Sequence, residues 1–165
     1  MDIKKLFSMQ RELDQSIQSG RQLGNEALLE RKLLAFHVEV CELANETRCF
    51  KFWSDKPSSD PSVILEEYVD GIHFLLSVGL EYGFEDRIDL KNWTDKVEAK
   101  TLSEHFHEVI EAIAFLRKSG DFPAYRHTCR TYLALGEALG YSSADVEEAY
   151  MQKNEVNYKR QENGY

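Results

Sequence analysis

The sequence has little proline, little glycine and no long apolar run. Only three prolines and nine glycines occur in 165 residues, which argues against collagen-like, disordered and many-turned all-β chains. No apolar stretch approaches the roughly 18 residues of a transmembrane helix, and the first 15 residues are amphipathic rather than typical of a secretory leader. We therefore expect a globular cytoplasmic protein without a membrane partner.

Cysteine is also scarce, and basic residues are outnumbered by acidic ones. Cys41, Cys49 and Cys129 are an odd set without the spacing of metal ligands, which predicts reduced thiols and no zinc site. The 20 Lys and Arg residues stand against 29 Asp and Glu residues, a net charge of −9. Because so acidic a body repels phosphate backbones, we expect no nucleic acid partner.

Helical periodicity dominates the chain. Apolar residues recur at helical spacing and alternating β-type runs are missing, so the sequence predicts an all-α fold of about six helices in a single domain, residues 1–165. The predicted helices are 3–19, 25–50, 62–82, 105–119, 124–139 and 143–158.

Residues with strong preferences for helix ends set these predicted boundaries. They are Asn25, Pro61, the capping-box pair Thr101 and Glu104, the break from Gly120 to Pro123, and Ser142. The polar stretch between residues 83 and 100 is less regular, and we expect Trp93 to anchor it to the core.

The second predicted helix contains a narrow stripe of carboxylates. Glu39, Glu42 and Glu46 fall within an arc of about 60° on a segment that is otherwise largely apolar. Buried carboxylates repel one another and are costly to ionise unless a cation lies between them. The alternative is an exposed acidic seam on a half-buried helix.

The third predicted helix adds a second carboxylate pair. Glu67 and Asp70 are three residues apart and share a face, as Glu39 and Glu42 do. Two antiparallel helices with such pairs predict a four-carboxylate cluster, whose oxygen-only ligands suit Mg²⁺, with Mn²⁺ as a possible substitute. Since Mg²⁺ also binds substrate phosphates, the pattern favours nucleotide chemistry. Glu66 either supports this cluster or is simply exposed.

These motifs resemble those of a known family. Glu39-x-x-Glu42 followed by Glu67-x-x-Asp70 is similar to the metal-binding signature of the all-α nucleoside triphosphate pyrophosphohydrolases, the MazG-like superfamily. Within it, FKFW at 50–53 and KNEVNYKRQ at 153–161 resemble the dimeric dUTPases. With MQRELD at 9–14 and EEYVDGIHFLLSVGLEYGF at 66–84, the resemblance covers nearly the whole chain.

The resemblance implies a MazG-like helical bundle that forms a homodimer. It also implies Mg²⁺-dependent hydrolysis of dUTP to dUMP and pyrophosphate, with dUDP accepted too, which limits uracil incorporation into DNA. Glu39, Glu42, Glu67 and Asp70 would bind the metal, and Glu39 or Glu42 would take a proton from water. The implied substrate-binding residues are Gln10, Asp14, Lys51, Trp53, His73, Lys153, Asn154, Asn157 and Arg160.

Several of these assignments have alternatives. Asp14 stands where many members have Asn, and a carboxylate cannot donate the hydrogen bonds of an amide. It could instead accept from the cytosine amine and narrow the preference for dUTP. Trp53 could be a core anchor, and His73 a packing residue. The polar tail 151–165 is predicted to close over the substrate, and the alternative is a frayed helix end.

Two other functions are compatible with the same residues. One is an all-α pyrophosphohydrolase for dCTP or another non-canonical nucleotide, which a substrate panel would distinguish. The other is a non-enzymatic helical module whose acidic stripe binds a basic protein, in which case Mg²⁺ and nucleotide would leave its melting temperature unchanged.

Overall fold

Helices make up the secondary structure of the described residues, which in this computed structural model are 1–23, 27–88 and 100–163. No β-strand occurs in these ranges, and the predicted all-α fold is confirmed. None of their helices is both long enough and apolar enough to cross a membrane. The elements are α1 (Ile3–Gly20), α2 (Leu29–Thr47), α3 (Pro61–Tyr82), a short 3-10 helix (Glu85–Arg87), α4 (Leu102–Ser119), α5 (Phe122–Ala138) and α6 (Ser143–Glu162).

The predicted capping box at Thr101 is present, and Ser142 caps α6 as predicted. The Thr101 hydroxyl accepts from the Glu104 backbone N–H at 3.3 Å, and the Glu104 carboxylate accepts from the Thr101 backbone N–H at 2.7 Å. Ser142 makes the equivalent reciprocal bonds with Asp145 at the start of α6. Pro61 lies in the first turn of α3, where the missing N–H costs nothing. These ends follow from local chemistry alone.

Several predicted boundaries were wrong: α2 ends at Thr47 instead of residue 50, α5 begins at Phe122 instead of residue 124, and α6 ends at Glu162 instead of residue 158. Helix α2 begins at Leu29 instead of residue 25; Asn25, like Trp93, lies outside the described residues. Pro123 does not break a helix, because Gly120 in the left-handed region (φ 63°) already ends α4 and Asp121 caps α5. Pro123 therefore lies in the first turn of α5, a position that tolerates proline.

Helix α3 is the centre of the bundle. It packs on α1, α2, α5 and α6. Residues 75–79 are all buried, and five consecutive residues span more than one helical turn, so this part of α3 is covered on every side. Ser77, the polar residue of this stretch, consequently faces neighbouring helices rather than water.

A pair of tyrosines joins α3 to α5. The Tyr68 and Tyr132 rings stack with centroids 4.9 Å apart, and each hydroxyl donates to the other residue's carbonyl oxygen, at 3.2 and 2.8 Å. Two glycines make the approach possible, since a Cβ on Gly71 would lie 1.9 Å from the Tyr132 hydroxyl and one on Gly136 would lie 2.4 Å from the Tyr68 hydroxyl. The pair fixes the part of α3 that carries Glu67 and Asp70.

The segment predicted as a tail is mostly helical. Residues 151–162 form the second half of α6, which packs on α1 and α3. Tyr150, Lys153 and Asn154 are buried in this interface. The alternative of a frayed helix end is therefore wrong for this part of α6, while closure over a substrate remains a prediction.

Candidate functional site

The packing of α2 on α3 brings the two carboxylate pairs together. Glu39, Glu67 and Asp70 each place one carboxylate oxygen within 4.8 Å of the others. Glu42 lies close enough to act electrostatically on both Glu39 and Glu67. The two helices thus bring all four acids into one electrostatic cluster.

Burial and mutual repulsion make this cluster costly to ionise. Burial first, then the charges of Asp70, Glu42 and Glu67, raise the pKa of Glu39 to about 7 from its ordinary 4.5. Burial, followed by Asp70, also raises the pKa of Glu67. Removing like charges, or placing a cation among them, would stabilise the fold.

Lys153 provides a positive charge beside the cluster. Its ammonium lies 2.7 Å from Glu66 Oε1 and 2.7 Å from Asp70 Oδ2. Burial raises the pKa of Asp70, although the hydrogen bond from Lys153 opposes this effect. The hydrogen bond from Lys153 to the exposed Glu66 holds the pKa of Glu66 below its ordinary value. Lys153, which was predicted to bind phosphate, thus neutralises part of the negative charge of the cluster. Its ion pair with Glu66 helps to keep the ammonium beside Asp70.

The donor set fits a hard divalent cation. Glu39, Glu67 and Asp70 offer only carboxylate oxygens, the ligand type that Mg²⁺ and Mn²⁺ prefer. Their raised pKa values show that added positive charge would be favourable here. Because Mg²⁺ keeps positions for water and phosphate oxygens, these acids could hold it together with a nucleotide.

Beside the acids lies a cluster of buried polar side chains from α1, α3 and α6. Gln10 Oε1 accepts from the Tyr150 hydroxyl and pairs with His73 Nδ1, each at 2.8 Å, while the His73 and Tyr150 rings stack 4.1 Å apart. Burial first, then Lys153, lowers the pKa of His73 to about 3. Within the described residues, the buried His73 Nε2 and Asn154 Oδ1 have no hydrogen-bond partner. Such atoms suit the polar edge of a ligand.

Asp14 is bound within the protein. Its Oδ1 accepts from Gln10 Nε2 at 2.8 Å, and its Oδ2 accepts from Lys32 Nζ at 2.9 Å and from Ser77 Oγ at 2.5 Å. Lys32 also pairs with Glu81 at 2.6 Å. Lys32 and Ser77 were not predicted as partners of Asp14, because they are distant from it in sequence. Only Gln10, four residues before Asp14 on the same helix face, could be predicted to meet it.

Exposed aromatic rings follow the end of α2. Trp53 is 64% exposed and Phe52 94% exposed, with their ring centroids 5.1 Å apart. The alternative of Trp53 as a core anchor is therefore wrong. Lys51 bonds the Asn45 side chain and lies 5.4 Å from the Phe50 ring centroid. This loop leaves the Trp53 ring accessible to a ligand.

The remaining predicted residues lie farther along α6. Asn157 is half-buried and Arg160 is exposed. Arg160 is near enough to the acids to contribute slightly to lowering the pKa of Glu66 and Asp70. Both residues follow Lys153 along α6.

Comparison with known proteins identifies one family. A family model described as dUTPase matches residues 2–165, which is nearly the whole chain. A search of curated proteins found no match. The matched range includes the carboxylate pairs on α2 and α3 and the polar half of α6.

Proposed function

Because the chain belongs to the all-helical dUTPase family and is a dUTP diphosphatase, we propose that it cleaves dUTP at the acids of α2 and α3. The proposed ligands of the divalent cation, taken to be Mg²⁺ with Mn²⁺ as substitute, are Glu39, Glu42, Glu67 and Asp70. The observation that supports this assignment best is the convergence of three carboxylate oxygens within 4.8 Å in a half-buried setting.

The chain's own acids would move the proton. Glu39 or Glu42 accepts it from the attacking water as a general base. Mg²⁺ held by the cluster would neutralise charge that develops on the phosphate oxygens. On substrate binding, Lys153 would exchange its bond to Asp70 for one to a phosphate oxygen.

The base and sugar would lie against the buried polar cluster of α1, α3 and α6. His73 and Asn154 offer buried polar atoms without partners in the described chain. The accessible Trp53 ring can stack on a base. Arg160 would add a second cation for the phosphates. The same contacts would accept dUDP, which keeps the base, the sugar and a pyrophosphate bond.

We further propose a cytoplasmic homodimer. Leu34 and Val38 are exposed apolar residues one turn apart on α2, Cys41 follows on the same face, and Phe115 of the neighbouring α4 is 57% exposed. A second copy would cover such a stripe. Sedimentation equilibrium should give a dimer mass that Val38→Glu reduces, and a wild-type monomer would contradict the proposal.

The decisive experiment measures pyrophosphate release from dUTP, dCTP, dTTP and UTP, and phosphate release from dUDP, with Mg²⁺ and with EDTA. We expect dUTP to be strongly preferred, EDTA to abolish turnover, and Glu67→Gln to lose activity. Glu111→Gln, which changes an exposed glutamate of α4 in the same way, is the matched control. Equal use of dCTP would indicate a broader pyrophosphohydrolase. No turnover, with a melting temperature unaffected by Mg²⁺ and nucleotide, would favour a non-enzymatic module.

A further inference from the structure

A chain of hydrogen bonds links Lys32 to His73 through Asp14 and Gln10. The bonds join Lys32 Nζ to Asp14 Oδ2 at 2.9 Å, Gln10 Nε2 to Asp14 Oδ1 at 2.8 Å, and His73 Nδ1 to Gln10 Oε1 at 2.8 Å. A carboxylate only accepts hydrogen bonds. The Gln10 amide nitrogen must therefore face Asp14, which leaves its oxygen facing His73.

This direction determines where the proton of His73 lies. Gln10 Oε1 only accepts, and it already accepts from the Tyr150 hydroxyl, so His73 Nδ1 must be the donor in their bond. Burial holds the pKa of His73 near 3, which keeps the ring neutral at pH 7. Its single N–H proton is then on Nδ1, and Nε2 has a bare lone pair that is buried without a partner in the described chain.

We propose that Asp14 is a positioning residue that fixes the tautomer of His73 so that Nε2 accepts a hydrogen bond from the substrate base. This rests on the proposed function, in which the base lies beside His73. Uracil has an N–H donor at N3, whereas N3 of cytosine is a bare acceptor. An acceptor at Nε2 therefore favours uracil, and the acid at position 14 supports discrimination without touching the base.

An isosteric substitution at position 14 should reverse the direction of the hydrogen bonds from residue 14 through Gln10 to His73. In Asp14→Asn, the donor-only ammonium of Lys32 would take the amide oxygen, which turns the new NH₂ group toward Gln10. Gln10 would then turn its oxygen to residue 14 and its NH₂ to His73. His73 Nδ1 would become the acceptor, and the proton would move to Nε2.

The tautomer can be measured directly by ¹⁵N NMR of the imidazole side chains. The five histidines are distinguished by the signals that disappear in His73→Gln. In wild type we expect His73 Nδ1 to be protonated and Nε2 to have a pyridine-type signal, and in Asp14→Asn we expect the two to exchange. Glu30→Gln is the control. It also converts a carboxylate to an amide, and it removes the 2.7 Å ion pair between Glu30 and Arg117.

Either a wild-type proton on Nε2 or an unchanged tautomer in Asp14→Asn would overturn the proposal. If Asp14→Asn does not fold, the wild-type spectrum still decides the direction of these hydrogen bonds.

Enzyme kinetics test the effect on specificity. The dUTP-to-dCTP ratio of kcat/KM should fall about ten- to hundredfold in Asp14→Asn and stay constant in Glu30→Gln. An exchanged tautomer with an unchanged ratio would refute the effect on specificity. Absence of dUTP turnover in wild type would refute the proposed function, while the spectra would still test the role of Asp14.

Discussion

Glu39→Gln should stabilise the metal-free protein, and this stabilisation should develop as the pH rises from about 4.5 to about 7. Burial and the neighbouring acids raise the pKa of Glu39 to about 7 in the folded state, against 4.5 for an ordinary glutamate. Between these values the folded protein holds a proton that the unfolded chain has lost. Stability therefore falls as pH rises from about 4.5 to about 7 and stays low above that, because deprotonation favours the unfolded chain.

The expected size follows from the two pKa values. A change from 4.5 to about 7 corresponds to roughly 3 kcal/mol as an upper limit. Since Glu39 is only half-buried, solvent screening reduces this to about 1–2 kcal/mol. In a domain of this size 1 kcal/mol shifts Tm by roughly 2–4 °C, so Glu39→Gln should melt about 2–8 °C above wild type at pH 8.

Scanning calorimetry in EDTA at several pH values between 5 and 8.5 measures this difference. The gap in Tm between variant and wild type should nearly close at pH 5, and saturating Mg²⁺ at pH 8 should raise the wild-type Tm more than that of the variant. Glu111→Gln, at an exposed position, should show no pH-dependent gap. If Glu39→Gln is no more stable than wild type at pH 8, or if the difference in Tm does not depend on pH, then ionisation of Glu39 does not destabilise the folded protein.

Three further predictions concern activity and packing. Asp70→Asn and Glu42→Gln should each reduce kcat for dUTP at least a hundredfold, measured as pyrophosphate release, with unchanged circular dichroism; near-normal kcat would remove them from the site. Deleting residues 151–165 should abolish turnover and also lower Tm, because it removes buried residues of α6; unchanged kinetics would show that the segment is passive. Gly71→Ala should destabilise the fold by about 1–3 kcal/mol in urea unfolding, since its Cβ would lie 1.9 Å from the Tyr132 hydroxyl; wild-type stability would contradict this packing.

The secondary structure was largely predictable because its signals are local. The capping box at Thr101, the N-cap Ser142 and the proline at the start of α3 act through neighbours in sequence, and the structure has them where predicted. Pro123 was misjudged, since proline suits the first turn of a helix as well as a break between helices. The polar half of α6 was not predicted to pack in the core, because its composition is rich in amides and poor in aliphatic residues. Its packing depends on partners on α1 and α3 that no local pattern identifies.

The pairing of the acids could be predicted from the sequence alone, because residues three apart on a helix share a face whatever the rest of the chain does. The position of one pair relative to the other depends on how the helices pack. Only the packing of α2 on α3 brings Glu39 near Glu67 and Asp70, and only the contact between α3 and α6 pairs Lys153 with Asp70. Hydrogen-bond direction and pKa depend on atoms a few ångströms away that are distant in sequence, so they are fixed only when the helices pack.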